Sequence, residues 1–393
     1  MEVETNTPAF PRLDPDVRAW PYFSRRSGDE GWYSIGSLRR EKFILIPGKR
    51  LPVVQAVLDA LDGSRPEEAI AAEIAARQKV RFDVAAFCGK LEGAGLLSAS
   101  GKTPGRLEEI GKYSFDLGRA GVPLLLRAFR AVARYVPLRV LVAACGVPII
   151  AALATIVALA GRHEPRASLH ALISIQLAWS LPIVAICSLV LHEAAHLLVA
   201  AYCGLTNGRV RGQIYTVIPQ VSLKLAGFCT LSPRKRLAIW SAGVYANLTA
   251  AAVALLAIAW GPAGWSGTVG SGVTHNIVAV NWLLVVMNLF PFLPTDGYYM
   301  LMTLLRKVNV RTQAIAVMGL LLNWRRARPS IVVVVYVAAS LVLLGTALYS
   351  SVRNTIHGAL AHDTAAALRS LAVVLVLGIV VRAIWKKGVL KKT

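Results

Sequence analysis

The sequence predicts a mainly α, polytopic membrane protein of about six transmembrane helices with an N-terminal cytoplasmic winged-helix-like α+β domain. Three observations lead there. Of the 393 residues, 55% are hydrophobic and only 16% charged, against about 45–50% and about 25% in soluble domains. The charge is uneven: residues 1–139 hold 22 basic and 17 acidic residues, whereas residues 140–393 hold 21 basic and four acidic ones. Long apolar runs recur in that second part, at 140–160, 171–203, 237–260, 276–294, 330–350 and 370–384, and about 20 apolar residues span a bilayer as a helix. Disorder, a collagen-like repeat and a disulfide scaffold on five cysteines are excluded. The expected domains are 1–103, a soluble module; 104–138, a linker with an interfacial amphipathic helix; and 139–393, the transmembrane domain.

In the module, Trp32–Ile35 and Phe43–Ile46 read as a strand pair, followed by helices at 51–61, 66–77 and 84–95. Gly63 and Gly95 are stops, Ser64 with Glu67 makes a capping box, and Asp83 is an N-cap. Strands followed by three helices are a winged-helix layout, which raises nucleic acid as a partner. Residues 41–97 carry eight basic and eight acidic residues, and a neutral module is a poor phosphate binder, so no nucleic-acid partner is expected. In the linker, Leu124, Leu125, Leu126, Phe129 and Val132 lie beside Arg127, Arg130 and Arg134. That pattern fits a helix on the inner leaflet, or a soluble helix packed on the module.

Loop charges orient the spans. The loops 204–236 and 305–329 and the C-terminal tail are strongly basic, whereas 261–275 is uncharged and 161–170 and 351–369 carry two arginines each. The bias places both termini in the cytoplasm of a cell with an inner (cytoplasmic) membrane. The polar N-terminus lacks an apolar core region, so no cleavable signal is expected. The run 171–203 is long enough to tilt, or to kink at Pro182. Residues 208–230 read either as strands at a site mouth or as a plain loop.

Carboxylates are costly inside a bilayer. Of the four acids after residue 139, Glu164 and Asp363 fall in outer loops, while Glu193 and Asp296 fall in or at the end of apolar runs. Glu193 stands inside His192-Glu193-Ala194-Ala195-His196. On a helix, i and i+4 share a face, so both imidazoles converge with a carboxylate beside them, the H-E-x-x-H zinc arrangement. Chance would give this pattern on the order of 0.01 times in such a chain. Histidines that merely satisfy one another between helices, and a proton relay, are the other readings. A tetrahedral site needs a third ligand, and Asp296 is the remaining candidate. Both runs travel outside to inside, which brings His192 and His196, about 10–17 Å before the inner end, and Asp296 to the same side. Prolines 291 and 294 break the helix there, which is tolerable where backbone faces protein or a wet cavity. His163, His170, His275, His357 and His362 fall on the outer side. The five cysteines lack C-x-x-C spacing and read as buried apolar residues, Cys203 and Cys229 being the two that could reach a zinc ion.

Three motifs resemble the site-2 protease (peptidase M50) superfamily of intramembrane zinc metalloproteases: His192-Glu193-x-x-His196, Gly243-x-x-x-Asn247, and Asn288-x-x-Pro291 leading to Asp296-Gly297. They cover roughly residues 171–305. The resemblance implies that His192, His196 and Asp296 bind Zn2+, that Glu193 activates water, and that Gly243, Asn247 and Asn288 lie at the substrate or oxyanion. Pro291–Tyr299 looks most like the peptide zinc metalloproteases of peptide-maturation clusters. Ala195 and Thr295 depart from the usual Gly and Leu without removing a ligand. Phe43–Pro47, Leu61-Asp62-Gly63 and Leu91–Leu97 resemble the PqqD-like precursor-recognition domain, which implies a sheet edge in residues 30–97 that holds a precursor leader. A dimerising or purely structural winged helix is the alternative. The expected function is cleavage of a peptide or protein precursor, such as removal of the leader from a ribosomal peptide. The rivals are regulated cleavage of a transmembrane signalling protein and a catalytically silent, peptide-sequestering immunity protein.

Overall fold

The computed structural model describes residues 10–23, 31–38, 42–97, 112–118, 121–161, 176–215, 218–262, 268–289, 295–308, 310–322, 330–339, 341–342 and 345. The chain divides into two compact units, Met1–Leu289 and Phe290–Thr393.

The first unit opens with strands β1 (Val17–Phe23), β2 (Trp32–Ser37) and β3 (Lys42–Pro47), antiparallel in the order β1-β2-β3. β2 and β3 were legible as strands; β1, with Pro21 in it, was not. Helices α1 (Leu51–Ala60), α2 (Glu67–Gln78) and α3 (Val84–Gly93) follow. Each turns an i, i+3/i+4 stripe inward: Val54, Val57 and Leu58 from α1, Ile70 and Ile74 from α2, Val84, Phe87, Cys88 and Leu91 from α3, all onto Ile35 and Ile46 of the sheet. Asp83 caps α3, its carboxylate accepting from the Ala86 amide at 2.8 Å. Gly63 and Gly95 take φ of +88° and +67°, as their expected role as stops requires. The Ser64–Glu67 capping box does not form. Pro66 occupies the N-cap of α2, so Ser64 lies too early, and its amide donates to the Asp62 carboxylate at 2.8 Å instead.

Cys88 is 1% exposed. Burial, with Glu67 next in importance, pushes its thiol up to about 12. At pH 8 it is therefore expected to resist iodoacetamide in the folded chain and to react once the module is unfolded in denaturant. Peptide mass mapping reads this, and ready labelling of Cys88 in the native chain would contradict the packing.

The stretch expected as linker contributes structure. Lys112–Gly118 is strand β4, which pairs with β5 (Gly208–Tyr215), itself paired to β6 (Ile218–Leu225), all antiparallel. Residues 208–215 and 218–225 are thus strands, not a plain loop. Helix α4 (Gly121–Tyr135) and then α5 (Leu138–Gly161), α6 (Leu181–Tyr202), α7 (Pro233–Trp260) and α8 (Val269–Leu289) complete the unit. Pro182 does not kink a long helix. It stands in the first turn of α6, where a missing amide hydrogen costs nothing, behind a 3-10 turn at Ala178–Ser180.

Among the described residues, four helices are long and apolar enough to cross a membrane: Leu138–Gly161, Ala178–Tyr202, Pro233–Trp260 and Val269–Leu289. The run 370–384 lies outside the described residues, as does most of 340–350, and so do prolines 291 and 294. α7 packs against α5, α6 and α8. Polar bonds join α6 to α8: Asn281 donates to the Ser188 hydroxyl at 2.9 Å, and Asn276 to the Ser180 hydroxyl at 2.8 Å. In an apolar environment such pairs act as interhelical ties.

Arg236, in the first turn of α7, is fully buried. It donates to the Tyr22 carbonyl, and its guanidinium carbon lies 3.6 Å from the centre of the Tyr22 ring. This cation, stacked on an aromatic face, fastens the N-terminal sheet to the helices.

The second unit contains α9 (Asp296–Leu305), α10 (Val310–Leu322) and helical residues 331–339. Tyr298, Met302, Val310, Ala314, Val333 and Tyr336 form its core. α10 occupies the stretch expected as a basic loop, 305–329. The arginines at either end of that stretch carried the loop reading, while the apolar centre, Ala314–Leu322, carries the helix.

Candidate metal centre

His192 and His196 lie one turn apart on α6, 3% and 6% exposed. Their Nε2 atoms are 3.1 Å apart. Two nitrogen ligands at about 2.0–2.1 Å from a tetrahedral ion would be roughly 3.3 Å apart, so the pair stands close to the separation that a shared metal ion would set.

Hydrogen bonding on the far side of each ring fixes which nitrogen faces the centre. Nδ1 of His196 lies 2.6 Å from the Ile239 carbonyl. A carbonyl only accepts, so Nδ1 carries the hydrogen and Nε2 the lone pair. Nδ1 of His192 lies 3.1 Å from the Asn247 amide nitrogen, and Asn247 Oδ1 is buried with no hydrogen-bond partner. The two ends of an Asn amide are assigned from such networks. Exchanging them lets Oδ1 accept from Nδ1–H and gives His192 the same tautomer as His196. With both rings in that tautomer, the two Nε2 lone pairs face each other at 3.1 Å, an arrangement that a metal cation could bridge.

Gly243 explains how α7 comes so close. A Cβ at this position would lie 2.4 Å from His192 Cε1 and 2.6 Å from His196 Nε2, well inside van der Waals contact. Gly243 and Asn247, four residues apart on α7, thus both address the imidazole pair. In the structure both of these residues lie against the histidines. Ile239 is a contact that no side-chain motif could have signalled, because its carbonyl makes the bond.

Glu193 is half-buried on α6, directly after His192 and one helical turn before His196. Asp296 is 8% exposed in the first turn of α9. His192, His196 and Asp296 form the one buried group of His, Cys, Asp or Glu, among the described residues, that could hold a metal ion. Neither Cys203 nor Cys229 belongs to it, nor does His275; the other outer histidines lie outside the described residues. Cys229 faces Ser34 and Arg236 instead, and burial raises its thiol above the ordinary range. Asn288 donates to the Leu284 carbonyl of its own helix at 3.0 Å, and Pro291 of the same motif lies outside the described residues.

The donor set is two imidazoles and one carboxylate. It fits a borderline ion that accepts both nitrogen and oxygen, and three protein ligands leave a tetrahedral position open. No protein-family model matches the sequence, and neither a curated protein nor a solved structure shows significant similarity to it.

Proposed function

We propose that the chain is a membrane-embedded zinc metalloendopeptidase that cleaves a peptide precursor. The observation that carries this reading is the pair of imidazoles whose Nε2 atoms face each other at 3.1 Å, each oriented from behind. Structural histidines satisfying one another would share a proton between them and would not need a glycine held against both rings.

In this reading His192, His196 and Asp296 hold the ion. When bound, zinc supplies Lewis-acid polarisation of a carbonyl and lowers the pKa of a water. Glu193 would take a proton from the attacking water as its oxygen bonds to the scissile carbonyl carbon, and would pass that proton to the amine as the C–N bond breaks, so the same carboxylate serves as base and then as acid. The Ile239 carbonyl and Asn247 keep both imidazoles in one tautomer, which is the task of groups behind metal-binding histidines. The N-terminal sheet, β1-β2-β3, would receive an extended segment of the precursor along an edge, since main-chain pairing is indifferent to much of the sequence it holds.

Full-length protein in lipid nanodiscs, incubated with a mixed library of unstructured leader-bearing peptides and read by mass spectrometry, tests the reading. Cleavage is expected, lost on chelation and restored by zinc. Cleavage that persists after complete removal of metal, verified by elemental analysis, would show that the site is not the one described.

A further inference from the structure

Helix α4 presents three distinct faces. At about 100° per residue, Val122 and Leu126 share one side, and both are buried, at 3% and 0% exposure. They pack on Leu197, Ala200 and Ala201 of α6, the turn that follows His196. Leu124, Leu125, Val132 and Tyr135 fall on the opposite side, within a sector of roughly 100°, and are 68%, 46%, 43% and 85% exposed. Arg127, Arg130 and Arg134 run along the flank between these faces. Arg130 donates to the Leu205 carbonyl at 3.0 Å, while Arg127 and Arg134 are exposed.

Four large exposed apolar side chains on one face of a 15-residue helix are poorly placed in water, because each forfeits its transfer free energy. The surroundings identify what covers them. Only Val136 and Pro137 separate α4 from α5, which is long and apolar enough to cross a membrane. α5 continues the exposed apolar surface through Val140, Val142 and Val147. From residue 117 to residue 163 the chain has no carboxylate, while Arg119, Arg127, Arg130, Arg134, Arg139 and Arg162 are all basic. An apolar face flanked by arginines at the entry to a spanning helix fits a layer of anionic headgroups above acyl chains.

We propose that α4 is seated in the headgroup layer of an anionic bilayer, with Leu124, Leu125, Val132 and Tyr135 among the upper acyl carbons and Arg127 and Arg134 on lipid phosphates. The opposite face of the same helix bears on the turn after His196, so the bilayer surface buttresses the metal-binding turn through one layer of side chains. The lipid contact itself does not depend on the metal reading.

The test uses the full chain, one copy per nanodisc, with either phosphatidylglycerol or phosphatidylcholine carrying a photoactivatable diazirine near the top of one acyl chain. After illumination, adducts are mapped by proteolysis and mass spectrometry. Adducts are expected on Leu124, Leu125, Val132 and Tyr135, with phosphatidylglycerol giving the higher yield. Arg127→Glu combined with Arg134→Glu is expected to lower the phosphatidylglycerol yield on α4 roughly tenfold while leaving adducts on α5 unchanged. The α5 adducts report in the same molecule that the protein is folded and inserted. An α4 face that stays unlabelled while α5 is labelled, or equal yields from the two lipids that ignore the arginine changes, would overturn the proposal.

Discussion

Glu193→Gln is expected to reduce peptide-bond hydrolysis by about a thousandfold or more while leaving the bound metal in place. General acid–base catalysis contributes about 10²–10⁴-fold, and Gln keeps the shape of the side chain but cannot take a proton. His192, His196 and Asp296, the group that could hold the ion, are untouched. Elemental analysis of the purified variant should therefore give the wild-type zinc content, and the turnover assay should give almost nothing. Precursor processing that survives at the wild-type rate with metal bound would remove Glu193 from the chemistry and favour a protein that holds peptide without cutting it. Loss of metal together with activity would instead make Glu193 a ligand, a different centre from the one proposed.

Gly243→Ala is the second large effect. The added carbon would meet His192 Cε1 at 2.4 Å, His192 Nε2 at 2.5 Å and His196 Nε2 at 2.6 Å. A ring that turned away from the added carbon would strain its bond to Asn247 or to the Ile239 carbonyl, which hold the present ring orientations. Either α7 moves away from α6 or the imidazoles turn off the ion. Disturbing groups that orient metal ligands typically costs 10–100-fold in affinity, and a loss of at least about that size is expected in zinc titrations. Gly89→Ala is the matching control, since a methyl there meets nothing within 4 Å. Equal zinc affinity in Gly243→Ala and wild type would mean that the close approach of α7 is not maintained.

The residues that could hold a metal ion were legible because bilayers make carboxylates expensive. Four acids in 254 residues leave few ways to place a charge, and a helix converts the spacing of His192 and His196 directly into proximity. Gly243 and Asn247 were legible as a pair one turn apart, but not their target. Which helix faces which is set by packing, and a four-residue spacing on α7 says only that both residues share a face. The Ile239 carbonyl was out of reach, since every residue carries one and nothing in a sequence marks which is used. β1 was hidden by Pro21 and by the absence of strict alternation, and it forms because β2 offers it a partner from Ser37 to Trp32. β4 does alternate polar and apolar residues from Lys112 to Gly118, but it is a single short run that acquires its ladder from β5, about ninety positions later. α10 was obscured by charge, because a window with arginines at both ends averages to a polar loop although its centre is apolar.

The seat of Arg236 against Tyr22 and Phe23 would set the kinetics of any segment that the N-terminal sheet came to hold. A domain on a slack tether samples a volume, and the local concentration of its cargo at a second site falls with the reach of that tether. Here the sheet is clamped to the first turn of α7, and Gly243 lies on the same helix two turns further on, about 10 Å along its axis. A bound chain would then be restricted to a shell a few residues long around the histidines, and the encounter would become intramolecular, at an effective concentration in the millimolar range. Length of the free segment, more than affinity for the sheet, would decide which bond arrives at the ion.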